Sequence, residues 1–196
     1  MRKLPRMATL QSRILRLIAL VAACSLLAGC EVKFGPSNFW DRWFTPETDT
    51  EYYQEKSEDL VDAITRDVAE YEINKVVVLD LVDDKDKVPI LGQYLANRVV
   101  EAMTRNKTFR VAQRGEVLAT LERLDLKPSF KYTREEIQRI GKAMNAQALV
   151  MGKLLDIGAN IDVHLALVDI ASGEVIASAS EQLLRTRSAI ELLRHY

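Results

Sequence analysis

Residues Lys75 to Val82 (Lys-Val-Val-Val-Leu-Asp-Leu-Val) restrict the fold more than any other stretch of this chain. The run is rich in β-branched residues and is apolar at successive positions, broken only by Asp80. A strand with one wet side alternates polar and apolar, whereas a strand apolar on both faces must be covered on both. It therefore reads as the central strand of a sheet with helices on either side, and the flanking chain has to supply those helices.

Between Thr50 and Tyr71 the residues Leu60, Val61, Ile64, Val68 and Tyr71 recur at helical spacing, with charged residues over much of the rest. That pattern predicts an amphipathic helix with one buried stripe. Pro89 can open a second helix running to about Arg105. Its stripe is Leu91, Leu95, Val99 and Met103, widened by Ile90 and Val100. Phe109 to Ala112 reads as a short strand, and Glu116 to Leu124 as a short helix turning Val117, Leu118 and Leu121 inward. Leu126 to Tyr132, with Pro128, is a loop. Thr133 and Glu136 then form a capping box, Tyr132 and Ile137 stand where a hydrophobic staple would, and Asn145 suits a left-handed C-cap.

Three strands follow: Ala148 to Ile157, Ile161 to Ile170 and Glu174 to Leu184. Gly158-Ala159-Asn160 and Ala171-Ser172-Gly173 separate them as hairpin turns. In the middle strand Ile161, Val163, Leu165 and Leu167 share one face, while Asp162, His164 and Ala166 share a partly wet one. Ser188 to Tyr196 is helical or frayed. The expected architecture is α/β: a mixed sheet with an N-terminal helix, two right-handed βα crossovers and a C-terminal three-strand antiparallel meander.

The N-terminus sets the compartment. Arg2, Lys3, Arg6, Arg13 and Arg16 occur with no acidic residue among them, and an apolar run from Leu17 to Leu27 ends in small residues. A basic start, an apolar run of about 7–15 residues and a small-residue end make a secretory signal peptide. The run falls short of the ~20 residues a membrane-spanning helix needs. Leu27-Ala28-Gly29-Cys30 resembles the lipobox of bacterial lipoproteins. The resemblance implies cleavage before Cys30, a diacylglycerol on its sulfur and a fatty-acyl (palmitate-type) chain on its new amino group. Two or more chains hold a protein stably at a membrane. Glu31 stands where such lipoproteins carry an aspartate for inner-membrane retention, so the resemblance implies the outer membrane and its periplasmic face.

The chain thus divides into a signal peptide (1–29), a lipidated, aromatic-rich tether (30–50) and an α/β domain (51–196). The tether carries Phe34, Phe39, Trp40, Trp43 and Phe44. These rings either pack on the domain or sit at the membrane interface. From Cys30 to Asp49 the chain reaches about 60 Å at most, at roughly 3.3 Å per residue.

Removing 29 of 196 residues leaves 167, enough for one domain with a sizeable core plus a tail. Taking the five signal-peptide bases from 27 Lys+Arg leaves 22 against 28 Asp+Glu, a formal charge of −6. A net-acidic domain is a poor binder of phosphate backbones, so nucleic acid is excluded as a partner class. Cys24 leaves with the signal and Cys30 is the anchor, so the mature domain has no thiol for a disulfide, a thiolate metal site or covalent catalysis.

The search for chemistry yields little. The sequence lacks a dinucleotide-binding glycine fingerprint, a P-loop, a Gly-x-Ser-x-Gly elbow and a His-Glu-x-x-His pair. Its two histidines are His164, in mid-strand, and His195, next to the C-terminal residue; neither carries a partner motif. Asp80, Asp83, Asp84 and Asp86 could gather at the carboxyl edge of the first strand, where open α/β sheets bind ligands, or simply line a solvated loop. An EF-hand started at Asp84 would put Pro89 at the turn glycine and Leu95 at the bidentate glutamate, so that pattern fails. The expectation is a non-enzymatic chain without cofactor, metal or catalytic residue, whose one modified site is Cys30.

A longer pattern runs from Val76 to Ser180. It comprises Val76 to Asp83, Leu91-Gly92-Gln93-Tyr94-Leu95-Ala96, Phe109-Arg110-Val111 before Arg114 and Leu118, and Ile140-Gly141-Lys142-Ala143-Met144-Asn145-Ala146. Leu149-Val150-Met151-Gly152-Lys153 and the stretch Val163 to Ser178, with Asp169-Ile170-Ala171-Ser172-Gly173-Glu174 at its turn, complete it. This resembles the FlgO domain and its relatives, the CsgG curli-secretion lipoprotein and the LpoB-type activators of penicillin-binding proteins. CsgG-like channels add membrane-spanning hairpins, for which the short connections after Val82 and Leu124 leave no room. LpoB-like activators use a long tether, longer than the reach from Cys30 allows. FlgO-like proteins are compact outer-membrane lipoproteins of the flagellum and motility, and they fit best. The resemblance implies a lipid-anchored interaction domain serving flagellar or envelope assembly, with envelope proteins as partners. Regulation of a peptidoglycan synthase or a role in secretion are the alternatives, and homo-oligomerisation is left open. If a binding face has to be named, the candidates are the meander around Asp162 and His164 and the aromatic tether.

Overall fold

In the computed structural model, the first half of the run Lys75 to Val82 forms β1 (Lys75–Val78), and the expected strand is interrupted before Val82, which makes an isolated bridge to Lys153. The structure describes residues 49–66, 68–107 and 109–196. The signal peptide, the Cys30 anchor and the aromatic part of the tether lie outside the described residues. β1 has a parallel neighbour on each side, β2 (Arg110–Val111) and β3 (Ala148–Asp156), with Val76 aligned to both Val111 and Ala148. Pairing with β3 continues past β1: Leu79 N donates to Val150 O (3.0 Å) and Val82 N to Gly152 O (3.0 Å). Three residues on this strand thus match two on β3, a bulge, and Asp80 sits inside it.

β4 (Asn160–Asp169) and β5 (Val175–Leu184) add antiparallel to β3, giving the strand order β2-β1-β3-β4-β5. Both hairpins turn on a glycine with positive φ, Gly158 (87°) and Gly173 (73°), a region that side chains with a Cβ rarely enter. The mixed sheet, its N-terminal helix and its C-terminal meander are as the patterning required.

Helices cover both faces. α1 (Asp49–Thr65) and α2 (Ile90–Asn106) pack on one, burying Leu60, Ile64, Leu91, Leu95 and Met103 against Val76, Val150 and Leu165. α3 (Arg114–Arg123) and α4 (Arg134–Met144) cover the other, over Val77, Leu79, Leu149 and Met151. The capping box of α4 forms: Glu136 N donates to Thr133 Oγ1 (3.3 Å) and Thr133 N to Glu136 Oε2 (2.8 Å). Asn145 closes the helix in the left-handed conformation at φ 48°. α5 (Arg187–Arg194) is capped by Thr186 and packs on α2, so the C-terminal segment is helical. Among the described residues no helix is long and apolar enough to cross a membrane.

Three expectations are corrected. The first helix ends at Thr65, not Tyr71. Val68 stays buried in a 3-10 turn, but Tyr71 is 43% exposed, because tight turns (Tyr71 N to Val68 O, Ile73 N to Tyr71 O) swing the chain into β1. Leu118 points outward: α3 starts earlier, at Arg114, and its inner face is Val117, Thr120 and Leu121. Ile90, in the first turn of α2, is exposed and does not widen that helix's buried stripe.

Candidate functional site

The four carboxylates after β1 do not form one site. Asp80, 8% exposed, takes a bidentate bond from Arg114 at the start of α3, with Nε to Oδ1 at 3.0 Å and Nη2 to Oδ2 at 2.8 Å. Asp83 braces its own loop: Oδ1 accepts from the amides of Lys85 (2.8 Å) and Lys87 (2.9 Å), and Oδ2 from the Tyr196 hydroxyl (2.8 Å). Asp86 pairs with Lys131 at 2.9 Å, and Asp84 is exposed. Among the described residues, no group of three or more His, Cys, Asp or Glu side chains could hold a metal ion. The loop is a structural joint. Into it the C-terminal segment docks, with Ile90 N donating to His195 O (2.8 Å) and Lys87 Nζ lying 5.1 Å from the centre of the Tyr196 ring. His195 thus serves through its carbonyl, satisfying an amide at the start of α2.

Burial pushes the Asp83 carboxyl up, but the Lys87 and Lys85 amides and the Tyr196 hydroxyl outweigh it and hold the group below the usual carboxylate range. A carboxylate depressed in the folded state adds stability above its unfolded pKa and loses it as pH falls through the folded one. Asp83→Asn is therefore expected to flatten the acid limb of unfolding free energy as pH falls below about 5. Urea titrations across that range read the slope, and an unchanged slope would show that the joint adds no stability. Asp86, lowered by its bond to Lys131, and Asp156, lowered by its bond to Arg185, keep part of the limb in the variant.

The more open ground is the far half of the second sheet face. α3 and α4 cover β1 and the start of β3 there, and further along the meander presents cross-strand rows. Register sets Lys153, His164 and Ser180 side by side, and Leu155, Asp162 and Gln182 next to them. His164 Nδ1 is 2.7 Å from Ser180 Oγ, and the Phe130 ring stands edge-on to the imidazole at 5.4 Å. Asn160 Nδ2 donates to Gln182 Oε1 (3.2 Å). Asp162 Oδ1 is buried and has no hydrogen-bond partner among the described residues, a situation that costs about 1–3 kcal/mol in a folded chain. At the rim Ile157 and Leu184 are more than half exposed, beside the bidentate pair of Asp156 with Arg185 (2.9 and 3.2 Å).

The expected wet face is thus present around Asp162 and His164, while Ala166 is buried. Sequence reasoning missed Phe130, Lys153 and Ser180. The alternation of Ser178, Ser180 and Gln182 carried a signal for one of them, but which side chains become neighbours depends on register. The aromatic tether, the other candidate, lies outside the described residues save for its last two positions.

The sequence matches no family model, FlgO included, and no curated protein sequence. Among solved structures the chain is similar to the LpoB C-terminal domain from Escherichia coli, at 12% identity over 66% of this chain and 98% of that one, with a TM-score of 0.50. It is similar also to the solution structure of Escherichia coli LpoB, at 12% identity over 63% of this chain and 64% of that one, TM-score 0.50. For the LpoB C-terminal domain from Salmonella enterica the identity is 13%, the coverage 64% and 96%, and the TM-score 0.49. The domain has an LpoB-like fold, and at such identity the likeness speaks to fold alone.

Proposed function

We propose that this chain is a lipid-anchored, non-enzymatic interaction domain of a bacterial envelope, held by Cys30 on the periplasmic side of the outer membrane. The observation that carries the reading is the half-covered face of the meander, where Asp162 keeps a buried oxygen without a donor. Buried polar atoms are nearly always satisfied, and a partner protein that supplies a basic or amide donor there would complete it. Leu155, Ile157 and Leu184 give that partner an apolar border. The mixture of apolar and polar groups suits a protein surface better than a small molecule.

Two assignments within this reading differ in partner. One is a regulator of a peptidoglycan synthase, which the LpoB-type resemblance implies and with which the LpoB-like fold is consistent; the other is a flagellar or motility role. The short tether is what supports the flagellar alternative. Crosslinking in intact cells, with partners identified by mass spectrometry, tests both beside Cys30→Ser and Asp162→Lys controls. A penicillin-binding protein lost in Asp162→Lys supports the regulator; basal-body proteins lost in Cys30→Ser support the flagellar role. Partners unchanged in both controls would sink the reading.

A further inference from the structure

We infer that β5 is a pairing edge for a second copy of this chain, joined through an antiparallel β5–β5 ladder centred on Ala179. The inference does not rest on the envelope-binding reading. β5 lies at the end of the sheet, with β4 as its one neighbour among the described residues. Its far end is occupied: the Tyr52 hydroxyl accepts from Leu184 N (2.9 Å) and lies 3.4 Å from Gln182 O, to which it donates. Those contacts show that the backbone groups of Gln182 and Leu184 face away from β4. Alternation along an antiparallel strand aims those of Ser180 and Ser178 the same way. At the near end the β4–β5 register slips between Leu167 and Val168. Both ends of the edge are thus managed, and among the described residues the middle is bare.

Native edges are usually blunted by lysine, proline or a bulge. From Val175 to Ser180 (Val-Ile-Ala-Ser-Ala-Ser) this edge has neither charge nor proline. Two copies paired about Ala179 set Ser178 opposite Ser180 and Ala177 opposite Glu181, and the ladder ends short of Gln182, whose carbonyl Tyr52 holds. No like charges meet, and Glu181 is already engaged by Lys56 at 2.9 Å. The amides and carbonyls of Ser178 and Ser180 would make about four new backbone hydrogen bonds across a two-fold axis. The contact is isologous, so it closes at a dimer instead of propagating. Side chains no larger than Ser and Ala at 177–180 allow the close approach.

Ala179→Cys in the full chain tests this. Across the axis the two residues form a non-hydrogen-bonded pair with Cα atoms about 4.5 Å apart, inside the range of a disulfide. Mild oxidation in cells should give a disulfide-linked homodimer at least tenfold above the unsubstituted chain, which controls for Cys30. It should also exceed Glu122→Cys, a thiol on the exposed side of α3, to the same extent. Adding Ser180→Pro, which deletes an outward amide, or Ser178→Lys, which charges the edge without touching a backbone donor, should cut the yield at least tenfold. The inference is overturned if no homodimer forms, or if Glu122→Cys gives as much. It is equally overturned if the yield survives Ser178→Lys, or if the thiol introduced by Ala179→Cys bonds to a different protein.

Discussion

Gly92→Ala is expected to destabilise the domain by about 3 kcal/mol, at the upper end of what overpacking costs. Gly92 lies in the first turn of α2, where that helix crosses the bulge after β1. A Cβ at this position would overlap the Leu81 carbonyl oxygen and stand 3.2 Å from Pro89 Cδ. The carbonyl cannot swing aside, because Leu81 N is bonded to Gly92 O (3.4 Å) and Val82 N to Gly152 O (3.0 Å) on either side of it. In an exposed helix the same change gains about 1 kcal/mol of propensity, so the close approach reverses the sign. Gly115→Ala in α3 is the matched comparison, since a Cβ there meets nothing within 4 Å; it should be neutral or stabilising. Urea unfolding of both variants checks the pair. Equal free energies would mean that α2 does not press on the bulge.

Arg114→Leu is expected to cost about 3 kcal/mol, the low end for breaking a buried ion pair, because Arg114 itself keeps a third of its side chain exposed. The loss comes from stranding the Asp80 carboxylate, whose side chain is 6% exposed, inside the bulge. A double Asp80→Leu, Arg114→Leu variant should recover most of it, since two apolar groups in place of a buried pair are often neutral. A thermodynamic cycle over the two single variants and the double separates these terms. Additive losses would show that Asp80 is not held by Arg114, and the carboxyl end of β1 would then need another account.

Elements whose causes are local are legible in the sequence alone. β1 followed from an apolar run that only a doubly covered strand can bury. The start and end of α4 followed from Thr133, Glu136 and Asn145, each acting within its own helical turn. The hairpins followed from Gly158 and Gly173. Half of the candidate face was legible too: alternation alone placed Asp162 and His164 on a side that stays partly wet.

Long-range geometry decided the rest. Nothing in the run from Lys75 to Val82 says that Asp80 is answered by Arg114, 34 residues later, because an ion pair across a crossover is set by how the helix returns to the sheet. The end of α1 was misplaced at Tyr71 because periodicity cannot register that the chain must leave the helix to reach β1. Phe130, Lys153 and Ser180 join His164 only through strand register and loop packing. Among the described residues that half of the meander remains open because α3 and α4 lie over β1 and the start of β3, while α5 packs on the opposite face. Local stereochemistry, carried by neighbouring residues, specified the elements; which surface stayed uncovered is a property of their packing, and only the tertiary structure could decide it.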